Sequence, residues 1–231
     1  ETVINELSVD IKSGEKVALV GATGAGKSTI INLISRLYEF DSGDIAIAGT
    51  SIRDYDLKSL RNRVSVVLQE VFLFADSLYN NITLYNPQIT REMVINASKE
   101  IGVHKFIESL PEGYDYNVKE RGVMLSSGQR QLIAFLRAYI SQPAILVLDE
   151  ATSSVDSYSE EIIQRAIDKL THGKTSIIIA HRLATVKNAD RILVMDKGKI
   201  VEEGTHEELL KVKGGNLSTL YEVQFAEEVP I

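Results

Sequence analysis

The sequence predicts an α/β fold in which helices flank a mainly parallel sheet, with an inserted α-helical lobe and a small antiparallel β element. Short apolar runs alternate with segments whose apolar residues recur at helical spacing. Such runs are typical of parallel strands covered by helices on both faces. Between about Asp76 and Ser141 the patterns are helical, which indicates the inserted lobe. Near the end, "MDKGKIVEEG" has the pattern of a hairpin with Gly198 in its turn.

The elements follow one another in a regular order along the chain. "KVALVG" predicts the first strand and "KSTIINLISRLY" the helix after it. "DIAIAG" and "RVSVVLQ" predict two short strands, and "TREMVINASKEIG", "VHKFIESL" and "GQRQLIAFLRAYI" predict the helices of the lobe. "AILVLDE", "TSIIIAH" and "RILVMD" predict the strands after the lobe, and "SEEIIQRAIDKL" predicts a helix between the first two. We therefore predict one domain over residues 1–231, with a core at about 1–75 and 142–231 and a lobe at about 76–141.

Length and composition narrow the possible functions. With 231 residues, 44% of them apolar, the chain can bury a sizeable core. The formal net charge of -7 argues against a broad nucleic-acid surface, so no nucleic-acid partner is expected. The lack of cysteine excludes disulfides and thiolate metal sites, and no apolar run approaches the roughly 18 residues that cross a bilayer. Because the chain starts at Glu1 and enters a strand-like pattern at once, we expect it to be a piece of a longer chain.

A glycine-rich loop follows the first strand. "GATGAGKST" at 21–29 matches G-x-x-x-x-G-K-[ST], in which glycines let consecutive backbone N–H groups approach an anion at a helix N-terminus. Lys27 would reach the β and γ phosphate oxygens, and the Ser28 hydroxyl would bind Mg²⁺. The alternative is a glycine-rich turn with an exposed lysine, which the flanking strand and helix disfavour. The predicted nucleotide-binding residues are Gly21, Ala22, Thr23, Gly24, Ala25, Gly26, Lys27, Ser28 and Thr29.

An acidic pair ends a later apolar strand. "ILVLDE" at 145–150 delivers Asp149 and Glu150 to the carboxyl end of that strand, where α/β sheets bind ligands. Asp149 is expected to hold Mg²⁺, directly or through water. Glu150 is then placed to act as general base on the attacking water. The alternative is a solvated acidic strand end, but the phosphate loop makes the catalytic interpretation the stronger one.

A second helix start carries small polar residues. "LSSGQRQ" at 125–131 stands just before a strongly apolar helix. Ser126, Ser127 and Gly128 would present hydroxyls and N–H groups at the N-terminus of that helix. By itself this pattern is an ordinary helix cap. Because the phosphate loop already gives a nucleotide one helix N-terminus, a second one on the lobe indicates clamping from the opposite side.

Six motifs in this order resemble those of the ATP-binding cassette (ABC) ATPases. They are "GATGAGKST", Gln69 in "VVLQE", "LSSGQ", "ILVLDE", "SSVD" at 153–156 and His181 in "IIIAHRL". Only the first motif is specific alone, whereas the ordered set, which runs through nearly the whole chain, is highly specific. The resemblance implies a P-loop NTPase with a RecA-like core, and an ATPase that uses ATP and Mg²⁺.

The resemblance also implies how the site works. Two such domains, as a homodimer or a heterodimer, would close head to tail around two ATP molecules, each held between the phosphate loop of one domain and "LSSGQ" of the other. Gln69 would contact Mg²⁺ and the attacking water, and His181 would contact the γ-phosphate. Asp156 would cross the dimer near the opposite site. The signature that meets the partner's nucleotide would consist of Ser126, Ser127, Gly128 and Gln129.

Two features depart from the pattern of the family. The usual signature has glycine where this chain has Ser127, which adds a side chain beside a phosphate, and its effect on the rate is left open. The aromatic residue that stacks on adenine in the family lies upstream of the phosphate loop, at a position that would fall before Glu1. We therefore expect this chain to bind ATP more weakly than a chain extended upstream.

Two segments resemble the exporter branch of the family. "EVFLFADSLYNNI" follows Gln69, and "NVKERG" resembles a stretch in which Glu120 would lie near the membrane domain. We therefore expect a domain that powers an exporter by ATP-driven dimerisation at the cytoplasmic face of the cell membrane, with a transmembrane domain upstream on the same full-length chain. Phe72, Leu73 and Phe74 would line an exposed docking groove, or else belong to the core. The transported substrate is not predicted.

Three other classes of protein remain open. A soluble cassette ATPase that acts on DNA or ribosomes is disfavoured by the acidic charge, the single cassette and the lack of heptad runs. A regulatory clamp that binds ATP without hydrolysing it is disfavoured because Glu150 and His181 are both present, although Ser127 leaves room for it. An importer ATPase, encoded separately from its membrane subunits, is disfavoured by the two exporter-like segments.

Overall fold

The computed structural model describes residues 3–150, 157–212 and 214–224. The strands are β1 (Lys16–Gly21), β2 (Ala46–Ile47), β3 (Thr50–Ser51), β4 (Val64–Val67), β5 (Ile145–Asp149), β6 (Thr175–Ile179), β7 (Arg191–Asp196) and β8 (Lys199–Gly204). The α-helices are α1 (Lys27–Ile34), α2 (Leu57–Arg63), α3 (Leu78–Thr83), α4 (Arg91–Glu100), α5 (His104–Glu108), α6 (Ser127–Ser141), α7 (Ser157–Thr171), α8 (Leu183–Lys187), α9 (His206–Leu210) and α10 (Asn216–Gln224). Two 3₁₀ helices cover Gly113–Asp115 and Glu120–Gly122. Each segment predicted from the sequence as a strand or a helix contains one.

The main sheet is mostly parallel, as predicted. Its six strands stand in the order β4-β5-β6-β1-β7-β8. β1 pairs in parallel with β6 and β7, and β5 pairs in parallel with β6. β8 returns antiparallel to β7 through a turn at Gly198, and β2 with β3 forms a separate antiparallel pair. Because β1, β5 and β6 run the same way, the residues that follow them meet at one edge of the sheet.

The central strand β1 is buried on both faces. Val17 and Leu19 pack into one apolar cluster, and Ala18 and Val20 pack into another. Successive side chains of a strand point to opposite faces, so the two clusters lie on the two sides of the sheet. Helices cover both of them: Ile31 of α1 belongs to the first cluster and Val186 of α8 to the second. This burial holds the carboxyl end of β1 in place, where the phosphate loop begins.

The described chain forms two compact units. The first unit extends to Val66 and also includes β5 and the described residues from Gly173 onwards. The second unit comprises Val67–Pro143 together with α7. In the second unit, α6 packs against α3, α4 and α7 and buries a stripe of apolar side chains that includes Leu132, Phe135 and Leu136. The predicted boundaries of the core and the lobe, at about 76 and 141, stay a prediction. None of the described helices is both long enough and apolar enough to span a bilayer.

Candidate active site

The loop between β1 and α1 needs glycine at two tightly packed positions. At Gly21 φ is +153°, and a Cβ atom would lie 2.3 Å from the carbonyl oxygen of Met195. At Gly26 φ is +102°, and a Cβ atom would lie 2.8 Å from Cδ1 of Ile4. A side chain would therefore clash with the backbone at Gly21, and the positive φ would strain a residue with a side chain at both positions. The loop in turn fixes where α1 begins, directly after Gly26.

Lys27 is the first residue of α1, and its side chain reaches back to the start of the loop. Its Nζ donates hydrogen bonds to the carbonyl oxygens of Gly21, at 2.6 Å, and Ala22, at 3.0 Å. The side chain is buried, which lowers the pKa of Lys27, and the nearby Asp149 carboxylate acts in the opposite direction. Ala22, Thr23, Gly24 and Ser28 are exposed around it. Because the first amides of a helix have no acceptor within the helix, the start of α1 and this ammonium form an open, positively polarised cradle. Such a cradle fits a phosphate group.

Asp149 ends β5 beside the loop and is half-buried. Burial raises the pKa of Asp149, while the Lys27 ammonium lowers it. A carboxylate and the Ser28 hydroxyl are hard oxygen donors, which are the ligands that Mg²⁺ prefers. Among the described residues, no three His, Cys, Asp or Glu side chains are grouped to hold a metal ion.

Glu150 follows Asp149 and is only 1% exposed. Its Oε2 accepts hydrogen bonds from the backbone N–H groups of His181, at 3.0 Å, and Arg182, at 3.3 Å. Its Oε1 accepts a hydrogen bond from the Thr185 hydroxyl. Burial raises the pKa of Glu150, and these hydrogen bonds together with the Arg182 charge partly offset the rise. A carboxylate with a raised pKa is a better proton acceptor near neutral pH, which suits a general base.

His181 follows β6 and stands just before α8, at the same edge of the sheet. It is half-buried, and burial together with the Lys27 charge lowers its pKa. The neutral imidazole is therefore the form present at neutral pH, able to donate from one ring nitrogen and accept at the other. Lys27, Asp149, Glu150 and His181 are the predicted residues that the structure brings together in the first unit.

Three of the predicted residues of the second unit, Gln69, Ser126 and Ser127, are exposed. Gln69 is exposed, two residues after β4. Ser126 is the N-cap of α6: its hydroxyl accepts from the N–H of Gln129 at 3.2 Å, while the Gln129 side chain accepts from the N–H of Ser126 at 3.0 Å. Ser126 and Ser127 are exposed, and Gly128 is buried. The helix-cap interpretation of "LSSGQ" is thus correct, and it leaves both hydroxyl-bearing side chains at the surface. Asp156 and the rest of "SSVD" lie outside the described residues.

The segment after Gln69 corrects one expectation. Phe72 and Phe74 are 57% and 46% exposed, and their rings meet edge to face at 5.2 Å between centroids. Leu73 between them is fully buried, so it belongs to the core and not to an exposed groove. Gly122 packs closely against it: a Cβ atom added at Gly122, where φ is +67°, would lie 2.8 Å from Cδ1 of Leu73. The backbone of this segment turns so that alternate side chains point outward.

Sequence reasoning missed Thr185. It is fully buried in α8 and donates its hydroxyl hydrogen to Glu150, which lies 35 residues earlier in the chain. The only sequence signal is a threonine four positions after His181 in an otherwise apolar turn, "HRLATV". That signal is weak, because buried threonines usually bond to a carbonyl of their own helix.

Comparison with known proteins decides the family. The sequence profile described as ABC transporter matches residues 4–153. The chain belongs to the ABC transporter family. It is similar to the ATP-dependent lipid A-core flippase of Shewanella frigidimarina, with 49% identity over 98% of this chain and 38% of the flippase. It is also similar to a putative multidrug export ATP-binding/permease protein of Bacillus subtilis, with 49% identity over 91% of this chain and 36% of that protein.

The ABC domain also matches a solved structure along its whole length. The structure of a bacterial Atm1-family ABC exporter with ATP bound has a TM-score of 0.87 and 38% identity, over 99% of this chain and 39% of that chain. This chain thus spans less than two fifths of the length of each of these three relatives. The resemblance drawn from the ordered motifs is confirmed: this is the ATP-binding ATPase domain of the family, and the relatives it matches are named as exporter proteins.

Proposed function

We propose that this ABC domain hydrolyses ATP with the residues assembled at the carboxyl edge of its sheet, and that the energy drives export by a membrane transporter. The observation that carries the proposal is the meeting of Lys27, Asp149, Glu150 and His181 beside the phosphate loop. A cation that can bind phosphate, a carboxylate that can help to hold a metal ion and a second carboxylate that can activate water are recurring parts of phosphoryl-transfer sites.

The loop and α1 bind and orient the nucleotide phosphates. Backbone N–H groups from Gly21 to Thr29 surround the phosphate oxygens, and the Lys27 ammonium offsets their charge. Ser28 and Asp149 would hold Mg²⁺, which would neutralise phosphate charge. A hydroxyl oxygen and a carboxylate oxygen fit this ion. The exposure of Ala22, Thr23, Gly24 and Ser28 supports the assignment, because a ligand can reach this part of the loop.

Glu150 and His181 act on the reacting groups. Glu150 takes a proton from the attacking water, and the three donors that hold its carboxylate keep it in one orientation. His181, in its neutral form, donates a hydrogen bond to the γ-phosphate. Positioning and electrostatic stabilisation then supply most of the rate, as in phosphoryl transfer generally.

A second nucleotide-binding domain completes each site. Ser126, Ser127, Gly128 and Gln129 meet the γ-phosphate held by the partner domain, and Asp156 crosses near the opposite site, so that ATP joins the two domains head to tail. The exposure of the Ser126 and Ser127 side chains at the start of α6 supports this, because exposed side chains can be reached by a partner domain. The partner is a second copy or a related domain.

A transmembrane domain on the same full-length chain is the other partner. The relatives named as a flippase and as an export ATP-binding/permease protein are more than twice as long as the match, which supports a further domain. This arrangement puts the domain at the cytoplasmic face of the cell membrane. The exposed pair of Phe72 and Phe74 supports a docking role for this segment, since exposed aromatic side chains in contact usually mark an interface.

The test is Mg²⁺-dependent ATP hydrolysis by the purified protein at increasing protein concentration. The specific rate should rise with concentration, because each site needs two domains. Glu150→Gln should bind ATP but hydrolyse it roughly 10² to 10⁴-fold more slowly. Glu161→Gln is the matched control, since Glu161 is an exposed residue of α7 paired with Arg165.

Two results would contradict the proposal. A parent rate in Glu150→Gln would show that this carboxylate is not the general base. A specific rate that is independent of protein concentration, together with binding of ATP, would argue against a site shared by two domains.

A further inference from the structure

The carboxylate of Glu150 is held by a single short segment of the chain. Oε2 accepts hydrogen bonds from the N–H groups of His181 and Arg182, where the chain enters α8. Oε1 accepts a hydrogen bond from the hydroxyl of Thr185, in the first turn of that helix. Glu150 and Thr185 are both buried, at 1% and 0% exposure. Water therefore does not replace any of these donors in this state.

The two carboxylate oxygens are fixed by different kinds of donor. The backbone amides fix the position of Oε2, and they are part of the chain's path from β6 into α8. The terminal torsion of a glutamate side chain is broad, so fixing one oxygen leaves the carboxylate plane able to rotate. The Thr185 hydroxyl is the contact that sets the second oxygen and with it the plane.

We propose that Thr185 is a positioning residue for ATP hydrolysis, whose hydroxyl sets the orientation of the Glu150 carboxylate. The proposal rests on the proposed function, in which Glu150 accepts the proton of the attacking water. A base works only when its free lone pair points at that proton. Thr185 does not belong to the phosphate loop, so it acts on the rate of the chemical step through Glu150 and not on the binding of ATP.

Loss of the hydroxyl has a specific consequence. Without it Oε1 is a buried charged oxygen that lacks a donor, and the carboxylate rotates to find another partner. A misdirected base lowers kcat, while the contacts that bind ATP stay as they are. A hydrogen bond to a charged group corresponds to about a tenfold change in rate or more, which sets the expected size of the effect.

The test compares Thr185→Val and Thr185→Ser in the full-length protein. Thr185→Val keeps the shape of the side chain without the hydroxyl, and it should lower kcat about tenfold with the KM for ATP unchanged. Thr185→Ser keeps the hydroxyl and should restore most of the rate. Thr185→Ala is a second variant without the hydroxyl, so that a packing defect of one substitution does not decide the result.

A matched control removes a similar hydroxyl elsewhere. Thr171 is a buried threonine of α7, and its hydroxyl donates to the carbonyl oxygen of Ile167 in its own helix. Thr171→Val should therefore hydrolyse ATP at the parent rate. If Thr171→Val loses as much activity as Thr185→Val, a buried hydroxyl matters only for packing and the positioning role is wrong.

A double mutant separates this inference from the proposed function. On the Glu150→Gln background, Thr185→Val should lower the residual rate no further, because its effect passes through the carboxylate. If Thr185→Val hydrolyses ATP at the parent rate while Glu150→Gln is inactive, the positioning role of Thr185 is wrong but the role of Glu150 stands. Parent activity in Glu150→Gln would overturn the general base itself. A faster Thr185→Val, or one with a raised KM and unchanged kcat, would also overturn the inference.

Discussion

At the scale of single residues, the burial of the Glu150 carboxylate is an unfavourable feature of the site. Among the residues that the structure describes, it is the only carboxylate that is buried. Taking an ionised carboxylate out of water is costly unless donors replace the lost hydration. The donors from His181, Arg182 and Thr185 replace part of it, and the pKa of Glu150 still stays above its ordinary value. A fold accepts this cost where the group has a chemical task.

The raised pKa of Glu150 predicts a pH dependence of stability. The folded protein disfavours the ionised form of Glu150. The contribution of Glu150 to stability is therefore fully present when the pH is below 4.5, the ordinary pKa of glutamate, and it is lost as the pH rises through the higher pKa of the folded state. Glu150→Gln lacks this titration. Its free energy of unfolding, relative to the parent protein, should therefore increase as the pH rises from about 4 to about 7.

Thermal or denaturant unfolding at several pH values checks this prediction. Glu161→Gln is the control, because Glu161 is exposed and its pairing with Arg165 lies at the surface. The control should show no comparable trend. If the free energy of unfolding of Glu150→Gln, relative to that of the parent protein, instead falls with rising pH, the hydrogen bonds outweigh burial and lower the pKa of Glu150.

At the scale of elements, α6 uses one set of residues twice. Ser126 and Gln129 form a capping box, which satisfies two backbone N–H groups at the start of the helix. The same residues belong to the signature proposed to meet a partner's nucleotide. A cap and a ligand site are compatible, since capping fixes the first turn and leaves the exposed Ser127 side chain at its surface.

Ser126→Ala should therefore have two effects. The loss of the cap should cost about 1 kcal/mol of stability, and ATP hydrolysis should fall because the first turn of α6 is less well fixed. Thr205→Ala is a matched control: Thr205 forms the equivalent capping box with Glu208 at the start of α9. It should cost a similar amount in denaturant unfolding and leave hydrolysis at the parent rate. Equal losses of activity in both variants would reduce the role of Ser126 to stability.

At the scale of the whole molecule, the question is how the proposed ATPase site would act on the proposed membrane partner. In the second unit, the guanidinium of Arg137 in α6 donates to the carbonyl oxygens of Phe72, at 2.9 Å, and Asn81, at 2.5 Å. Asn81 is fully buried, and its side chain exchanges hydrogen bonds with the backbone of Phe74 in both directions. Burial lowers the pKa of Arg137 to about 10, so it stays charged at neutral pH. Hydrogen bonds of the Arg137 and Asn81 side chains thus connect α6 to the segment that carries the exposed pair Phe72 and Phe74.

Substitutions in this segment should separate docking from folding. Phe72→Ala combined with Phe74→Ala should change stability little, because exposed side chains contribute within roughly 0.5 kcal/mol. In the full-length protein the same change should weaken the coupling of ATP hydrolysis to transport. Leu73→Ala should instead cost about 2–5 kcal/mol, because Leu73 is fully buried. Measuring unfolding and transport for both variants checks this; normal transport in the Phe variant would remove the docking role.

The sequence by itself determined the local features of this protein. Apolar runs of strand length and helical spacing were enough to find β1, β5, β6 and β7 and the main helices, because a buried face leaves a period in the sequence. The phosphate loop could also be predicted from the sequence, because a turn that binds an anion requires glycine and lysine at fixed spacing. The ordered motifs gave the family, which comparison with known proteins confirmed.

Only the tertiary structure decided which distant residues meet. The strand order β4-β5-β6-β1-β7-β8 places β6 between β1 and β5, and so brings His181 to Glu150 and Lys27. No period in the sequence encodes that order. In the run "FLF" at 72–74, all three side chains are large and apolar, and only packing buries Leu73 and exposes its neighbours. The bond from Thr185 to Glu150 spans 35 residues, and it exists because parallel pairing aligns the ends of β5 and β6, a long-range consequence that local propensity does not contain.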